Sequence, residues 1–181
     1  MRENFSSLSR LKSSESLHVI KSRVCENRSM SHSAYYPGSM QDNQIRNRTA
    51  LIYVLEMILH QHRQKYATIF NPLEGKAALH HLIFMKTKWR PSEIRELKLE
   101  DALFVIQDEL RIENISDEAQ EALSSFNLPL AAFLFEDFPE EDWNCRENSV
   151  FLRNLTMKAT QSTCRSLSAV LQERLFLPPD G

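Results

Sequence analysis

The chain has 181 residues, of which 42% are hydrophobic and 25% charged, and its formal net charge is −2. This composition is typical of a globular protein with one domain. No apolar run approaches the ~20 residues of a membrane-spanning helix. Three cysteines are too few for a disulfide-stapled scaffold, and three isolated glycines exclude a glycine-rich phosphate-binding loop.

Residues 1–44 form a leader that is rich in serine and arginine and has only scattered apolar residues. Such a composition cannot bury enough apolar surface to offset the entropy of ordering, so we expect this segment to be disordered. It lacks the unbroken apolar stretch of a secretory signal, and Glu3, Glu15 and Glu26 are unusual for a mitochondrial transit peptide. We therefore expect a cytoplasmic protein whose residues 45–181 form a single helical domain.

The first predicted helix begins near Asn47. Its apolar residues recur at helical spacing and make a broad stripe, which predicts a central place in the core. They are Leu51, Ile52, Val54, Leu55, Ile58 and Leu59.

A helix-start signal, a proline followed two residues later by glutamate, occurs three times in the chain. Proline is favoured at the first helical position because its missing N–H has no partner there, and glutamate suits the positive end of the helix dipole. Helix starts are predicted at about residues 72, 91 and 139. The motifs are Asn71-Pro72-Leu73-Glu74, Pro91-Ser92-Glu93 and Pro139-Glu140-Glu141.

The helix from residue 72 is predicted to end near Lys88, and a short helix over 91–97 then leads into one over 99–111. The predicted buried residues are Leu73, Ala77, Leu82, Ile83 and Met85 in the first, and Leu99, Ala102, Leu103, Ile106 and Leu110 in the third, with Phe104 and Val105 widening that face.

Ser116 is predicted to cap the next helix, with Ala119, Ala122 and Leu123 facing inward. Residues 128–135 are apolar enough for a short buried helix or, less favoured, a strand. A last helix over 167–175 is expected before Pro178. Because no strand alternation is present, the predicted fold is all-α. It is a compact bundle of about six or seven helices preceded by a disordered N-terminal segment.

Charge is distributed unevenly along the chain. Residues 1–90 have 14 Lys and Arg against 6 Asp and Glu, a net charge of +8, and residues 91–181 have 8 against 18, a net charge of −10. This polarity suits a nucleic-acid-facing half or self-association, but attraction between two parts of one domain is the favoured interpretation.

Four histidines occur as two close pairs, His60 with His62 and His80 with His81. Within a pair the side chains diverge on a helix, so a shared metal would require one histidine from each pair. Metal-ligand motifs are absent, and Cys145 and Cys164 lack the setting of a nucleophile. We expect no catalytic residue, metal or cofactor.

Two short segments have the composition of binding surfaces. Aromatic rings among acidic residues suit docking to a basic partner protein, although the same rings could simply close the core. That segment comprises Phe135, Glu136, Asp137, Phe138, Glu140, Glu141, Asp142 and Trp143. The alternative surface is a basic cluster for nucleic acid, formed by Lys86, Lys88, Trp89 and Arg90.

These observations predict a non-enzymatic protein that binds another protein, as an adaptor, assembly chaperone, inhibitor or regulatory subunit. A DNA-associated transcriptional regulator that uses the basic half is the first alternative. An enzyme with a histidine-centred site is the second, and self-association is compatible with all three.

Overall fold

The computed structural model of the chain describes residues 3–30 and 36–145, with the side chains of the first helix described from Glu15 onward. The all-α prediction is confirmed, and the described residues contain no strand. None of the described helices is long and apolar enough to cross a bilayer. The described ranges contain six α-helices, which are α1 (Glu3–Asn27), α2 (Met40–Tyr66), α3 (Lys76–Thr87), α4 (Pro91–Glu96), α5 (Leu99–Val105) and α6 (Asp117–Ser125), and single 3-10 turns lie at Ile112–Asn114 and Glu140–Asp142.

The packed region begins earlier in the chain than the predicted boundary at residue 45. Helix α1 packs against α2 and α6. Leu17, Ile20 and Val24 are buried at the i, i+3, i+7 spacing of one helix face, and Cys25 is buried beside them. Residues 15–27 of the predicted leader are thus helical and packed, because four apolar side chains at helical spacing can bury a stripe within a polar composition.

Helix α2 is the centre of the core, as its broad apolar stripe predicts. It begins at Met40 rather than near Asn47, because the Ser39 side chain accepts a hydrogen bond of 3.2 Å from the backbone N–H of Asp42. Its fully buried side chains include Ile45, Ile52, Tyr53, Leu55 and Leu59.

The start predicted at residue 72 is wrong, since α3 begins at Lys76. Leu73 and Gly75 both have positive φ, of 52° and 55°, which interrupts helical geometry after the proline. Arg63 holds this loop by donating hydrogen bonds to the carbonyl oxygens of Leu73 and Gly75, at 3.1 and 3.4 Å. The buried face of α3 is Ala78, Leu79 and Ile83, so Ala77 and Met85 are exposed contrary to prediction.

The start predicted at Pro91 is confirmed, and the carboxylate of Glu93 accepts a hydrogen bond of 3.2 Å from the backbone N–H of Arg90. Ser116 occupies the predicted N-cap position of α6, although its side chain makes no capping hydrogen bond. Helix α5 is shorter than predicted and ends at Val105, and Phe104 is exposed instead of widening its buried face.

Residues 128–135 form neither of the two predicted elements. Their chain contains Pro129, which has no N–H to donate, and side chains of α2 bind the backbone around them. Gln44 donates to the carbonyl oxygen of Leu134 at 3.0 Å, and Arg46 donates to those of residues 126 and 127. The start predicted at 139 yields only a 3-10 turn, and the helix predicted over 167–175 lies outside the described residues.

Candidate functional site

The acidic-aromatic segment, residues 135–143, folds back onto the chain's own basic side chains. Asp142 is completely buried and accepts hydrogen bonds from Arg48 at 2.7 Å, Arg28 at 3.3 Å and Asn27 at 3.3 Å. Arg48 also donates to the carbonyl oxygen of Asp137. A buried carboxylate is tolerated only when it is paired in this way, so Asp142 joins α1 and α2 to the end of the described chain.

Trp143 is buried next to this ion cluster. Its indole Nε1 donates a hydrogen bond of 2.6 Å to Oε1 of Glu56, which is buried in the middle of α2. The guanidinium of Arg63 lies 3.7 Å from the other oxygen of that carboxylate. The indole therefore contributes both apolar area and a charge-assisted hydrogen bond to the core.

The two phenylalanines of the segment cover the arginines that bind Asp142. The guanidinium carbon of Arg28 lies 3.8 Å from the ring centroid of Phe135, and that of Arg48 lies 3.8 Å from the ring centroid of Phe138. Both rings are half-buried. This arrangement favours the interpretation in which the rings close the core.

The predicted partner-binding residues thus divide into two groups. Asp142 and Trp143 face inward, whereas the carboxylates of Glu136, Asp137, Glu140 and Glu141 are exposed. Arg28 binds Asp137 at 3.0 Å and lowers the pKa of that carboxyl group, and Lys76 binds Glu140. The residues of the segment lie together in the structure, but the basic side chains that they bind belong to the same chain and not to a partner protein.

The predicted nucleic-acid cluster is only partly available. Lys86 forms ion pairs with Asp108 and Glu109, and Lys88 lies over the ring of Phe84 at 5.5 Å. Trp89 and Arg90 are exposed between α3 and α4. The charge that would approach phosphates is therefore partly neutralised by the acidic half of the chain.

One histidine from each pair meets across α2 and α3. Nε2 of His62 lies 2.8 Å from Nδ1 of His81, and the ring of Tyr66 lies 4.6 Å from that of His62. One ring nitrogen must donate and the other accept, so the two rings cannot both be protonated. Burial, together with the positive charges of His81, Arg63 and Lys65, lowers the pKa of His62 to about 4. The described residues contain no group of three His, Cys, Asp or Glu that could hold a metal ion.

This pair makes the stability of the fold dependent on pH. The pKa of His62 is 6.5 when unfolded and about 4 when folded, so its full contribution is present above pH 6.5. As the pH falls from 6.5 towards 4, His62 binds a proton in the unfolded state but remains mostly unprotonated in the folded state. We expect the free energy of unfolding to drop by at most about 3 kcal/mol over this interval.

Urea denaturation at a series of pH values measures this drop. His62→Gln, which does not titrate, is expected to flatten that part of the profile. His18→Gln alters an exposed histidine on α1 and serves as the matched control. A profile that is unchanged by His62→Gln contradicts the prediction.

The described cysteines do not have the properties of nucleophiles. Cys25 is buried in the core and Cys145 is half-buried, and burial raises the pKa of each thiol. A raised pKa keeps the thiol protonated and unreactive. Cys164 lies outside the described residues.

A surface groove lies between α3 and α4, and it was not predicted from the sequence. Its volume is about 320 Å³, at the lower end of the range for ligand sites. Four α3 residues at the i, i+3, i+4, i+7 spacing form one wall, and three α4 residues at i, i+3, i+4 form the other. The lining residues are Asn71, Leu73, Ala77, His80, His81, Phe84, Pro91, Ile94 and Arg95.

The loop before the groove exposes two large apolar side chains. Ile69 and Phe70 are each 91% exposed. They stand at the centre of a turn closed by backbone hydrogen bonds between Thr68 and Asn71, of 2.9 and 3.2 Å. The turn therefore fixes the backbone at both residues, directly before Asn71, the first residue in the chain that lines the groove. The sequence contains a signal for this surface, because α3 has apolar residues on two of its faces and only one of these faces packs against the core.

No family model matches the chain, and neither a curated protein nor a solved structure matches it.

Proposed function

We propose that the protein is a non-enzymatic, cytoplasmic adaptor or regulatory subunit that binds an acidic, apolar segment of a protein in the groove between α3 and α4. The observation that carries the proposal is the groove itself with Ile69 and Phe70 held in the open beside it. Exposed apolar residues around a concave surface are typical of protein-binding sites.

The acidic character of the segment follows from the charge of the groove. Arg95 is the single lining residue with a permanent charge, and it forms no ion pair with any residue in the described ranges. Glu93 and Glu96 lie on the other side of α4, outside the lining. A carboxylate on the bound segment would complement Arg95, while apolar side chains fill the space against Leu73, Phe84 and Ile94.

A second candidate function is supported by the histidine pair. His81 lines the groove and is hydrogen-bonded to His62, so a proton could be exchanged between the groove and the pair. We rank an acid–base enzyme second because apolar side chains form most of the lining.

Phe70→Asp is expected to reduce capture of the partner protein at least about tenfold, since a charge on the rim opposes burial of an apolar segment. Substitution of an exposed side chain leaves the fold intact to within about 0.5 kcal/mol. The matched control is Phe104→Asp, which alters a phenylalanine that is 72% exposed on α5, outside the groove lining.

The measurement is affinity capture by the tagged full-length wild type and both variants from a lysate of the cells that produce the protein, with and without nuclease. The proposal requires a protein that survives nuclease, binds the wild type and Phe104→Asp, and is lost with Phe70→Asp. Capture that is equal for both variants contradicts it, as does the absence of any captured protein. Capture that disappears with nuclease favours the DNA-associated alternative.

A further inference from the structure

An exposed apolar loop lies at the opposite end of α2 from the groove. Leu130 is fully exposed, Leu134 is 71% exposed, and Ala131 and Ala132 between them are exposed as well. The next exposed side chain is the carboxylate of Glu136. Residues 130–136, here called the exposed loop, therefore combine exposed apolar side chains with an exposed acidic one, while Phe133 and Phe135 between them are half-buried.

The exposed loop is anchored to the bundle. The carbonyl oxygen of Leu134 accepts a hydrogen bond from Gln44, and the ring of Phe135 stacks on Arg28. These anchors lie in the first turns of α2 and at the end of α1. His62, which marks the groove end of α2, is 18 residues further along the helix than Gln44, or about 27 Å at 1.5 Å per residue. The loop cannot reach the groove of its own molecule without leaving these contacts.

We propose that the groove between α3 and α4 takes the exposed loop of a second copy of this chain. The loop has the chemistry that the groove requires, because Leu130 and Leu134 would enter the apolar space and Glu136 would meet Arg95. The inference rests on the groove being the docking site of the proposed function, and it names one occupant of that site.

The positions of the two surfaces allow two kinds of assembly. In each copy the groove and the exposed loop lie on different parts of the surface of the described residues. Two copies can exchange loops reciprocally in a closed dimer, or copies can join head to tail in an open chain. One short loop in one groove is a small interface, so the expected dissociation constant is about micromolar to millimolar.

Sedimentation velocity of the full chain at increasing concentration tests the proposal. The wild type is expected to show a sedimentation coefficient that rises with concentration. Arg95→Glu and Glu136→Lys each replace attraction by repulsion and are expected to weaken association at least about tenfold. The combined Arg95→Glu/Glu136→Lys variant restores complementary charge and should associate again. Arg111→Glu, at an exposed arginine outside both surfaces, is the matched control.

The results separate this inference from the proposed function. A wild type that stays monomeric overturns the inference, and so does association that Arg95→Glu and Glu136→Lys leave unchanged. If such a protein still captures a partner that Phe70→Asp loses, the adaptor function stands without self-association. If the chain associates as expected and captures no other protein, the groove is an assembly surface and the adaptor function is wrong.

Discussion

Asp142→Asn is expected to destabilise the fold by about 3–5 kcal/mol, the usual cost of breaking a buried ion pair by removing one partner. Asp142 is buried and binds two guanidinium groups, those of Arg48 and Arg28. Asparagine keeps the shape but removes the charge, so two arginines would remain together with their positive charges less well compensated. Burial already lowers the pKa of Arg48, and Asp142 opposes that shift.

Urea denaturation followed by circular dichroism measures this loss. Asp137→Asn is the matched control, because that carboxylate binds the same Arg28 from a side chain that is mostly exposed. An exposed ion pair of this kind contributes less than about 1 kcal/mol. Equal effects of the two substitutions would show that Asp142 does not pair with Arg48 inside the protein.

Trp143→Ala is expected to cost about 3–5 kcal/mol, since it leaves a cavity in the core and removes the hydrogen bond to Glu56. Trp143→Phe keeps most of the ring and removes the hydrogen bond, so it isolates the cost of the lost donor, about 1–3 kcal/mol. The matched control is Trp89→Ala, which alters the chain's other tryptophan at a position that is 45% exposed.

Chemical denaturation measures both effects, and fluorescence provides a second readout. A Trp89→Phe background leaves Trp143 as the sole tryptophan, whose emission is expected at the short wavelengths of a buried indole until the protein unfolds. If Trp143→Ala retained wild-type stability and instead lost partner binding, Trp143 would be a surface anchor for another protein, as the first interpretation of the acidic-aromatic segment held.

Much of the local structure was determined by the sequence alone. The helix start at Pro91, the N-cap position of Ser116 and the apolar stripe of α2 depend on residues within one or a few turns of each other. Signals of this range can be read directly from spacing. They predicted the all-α class, the central position of α2 and the inward faces of α5 and α6 apart from Phe104.

Where the predictions of local structure were wrong or incomplete, the structure shows a specific physical cause. The signal at Pro72 was overridden by the positive φ of Leu73 and Gly75, which Arg63 stabilises through the loop carbonyl oxygens. In α1 the serine-rich composition concealed the stripe formed by Leu17, Ile20 and Val24. Average composition does not reveal such a stripe, because the stripe depends on the spacing of these three apolar side chains along the helix.

The candidate sites were decided by the tertiary structure. Asp142 and Arg48 are 94 residues apart in the chain, and a list of charges does not reveal which acid will be buried against which base. The same holds for the pair of His62 with His81 and for the groove, whose two walls come from different helices. Spacing determines which face a residue occupies on its own helix, but only the packing of helices determines whether that face meets the core, another charge or an open groove.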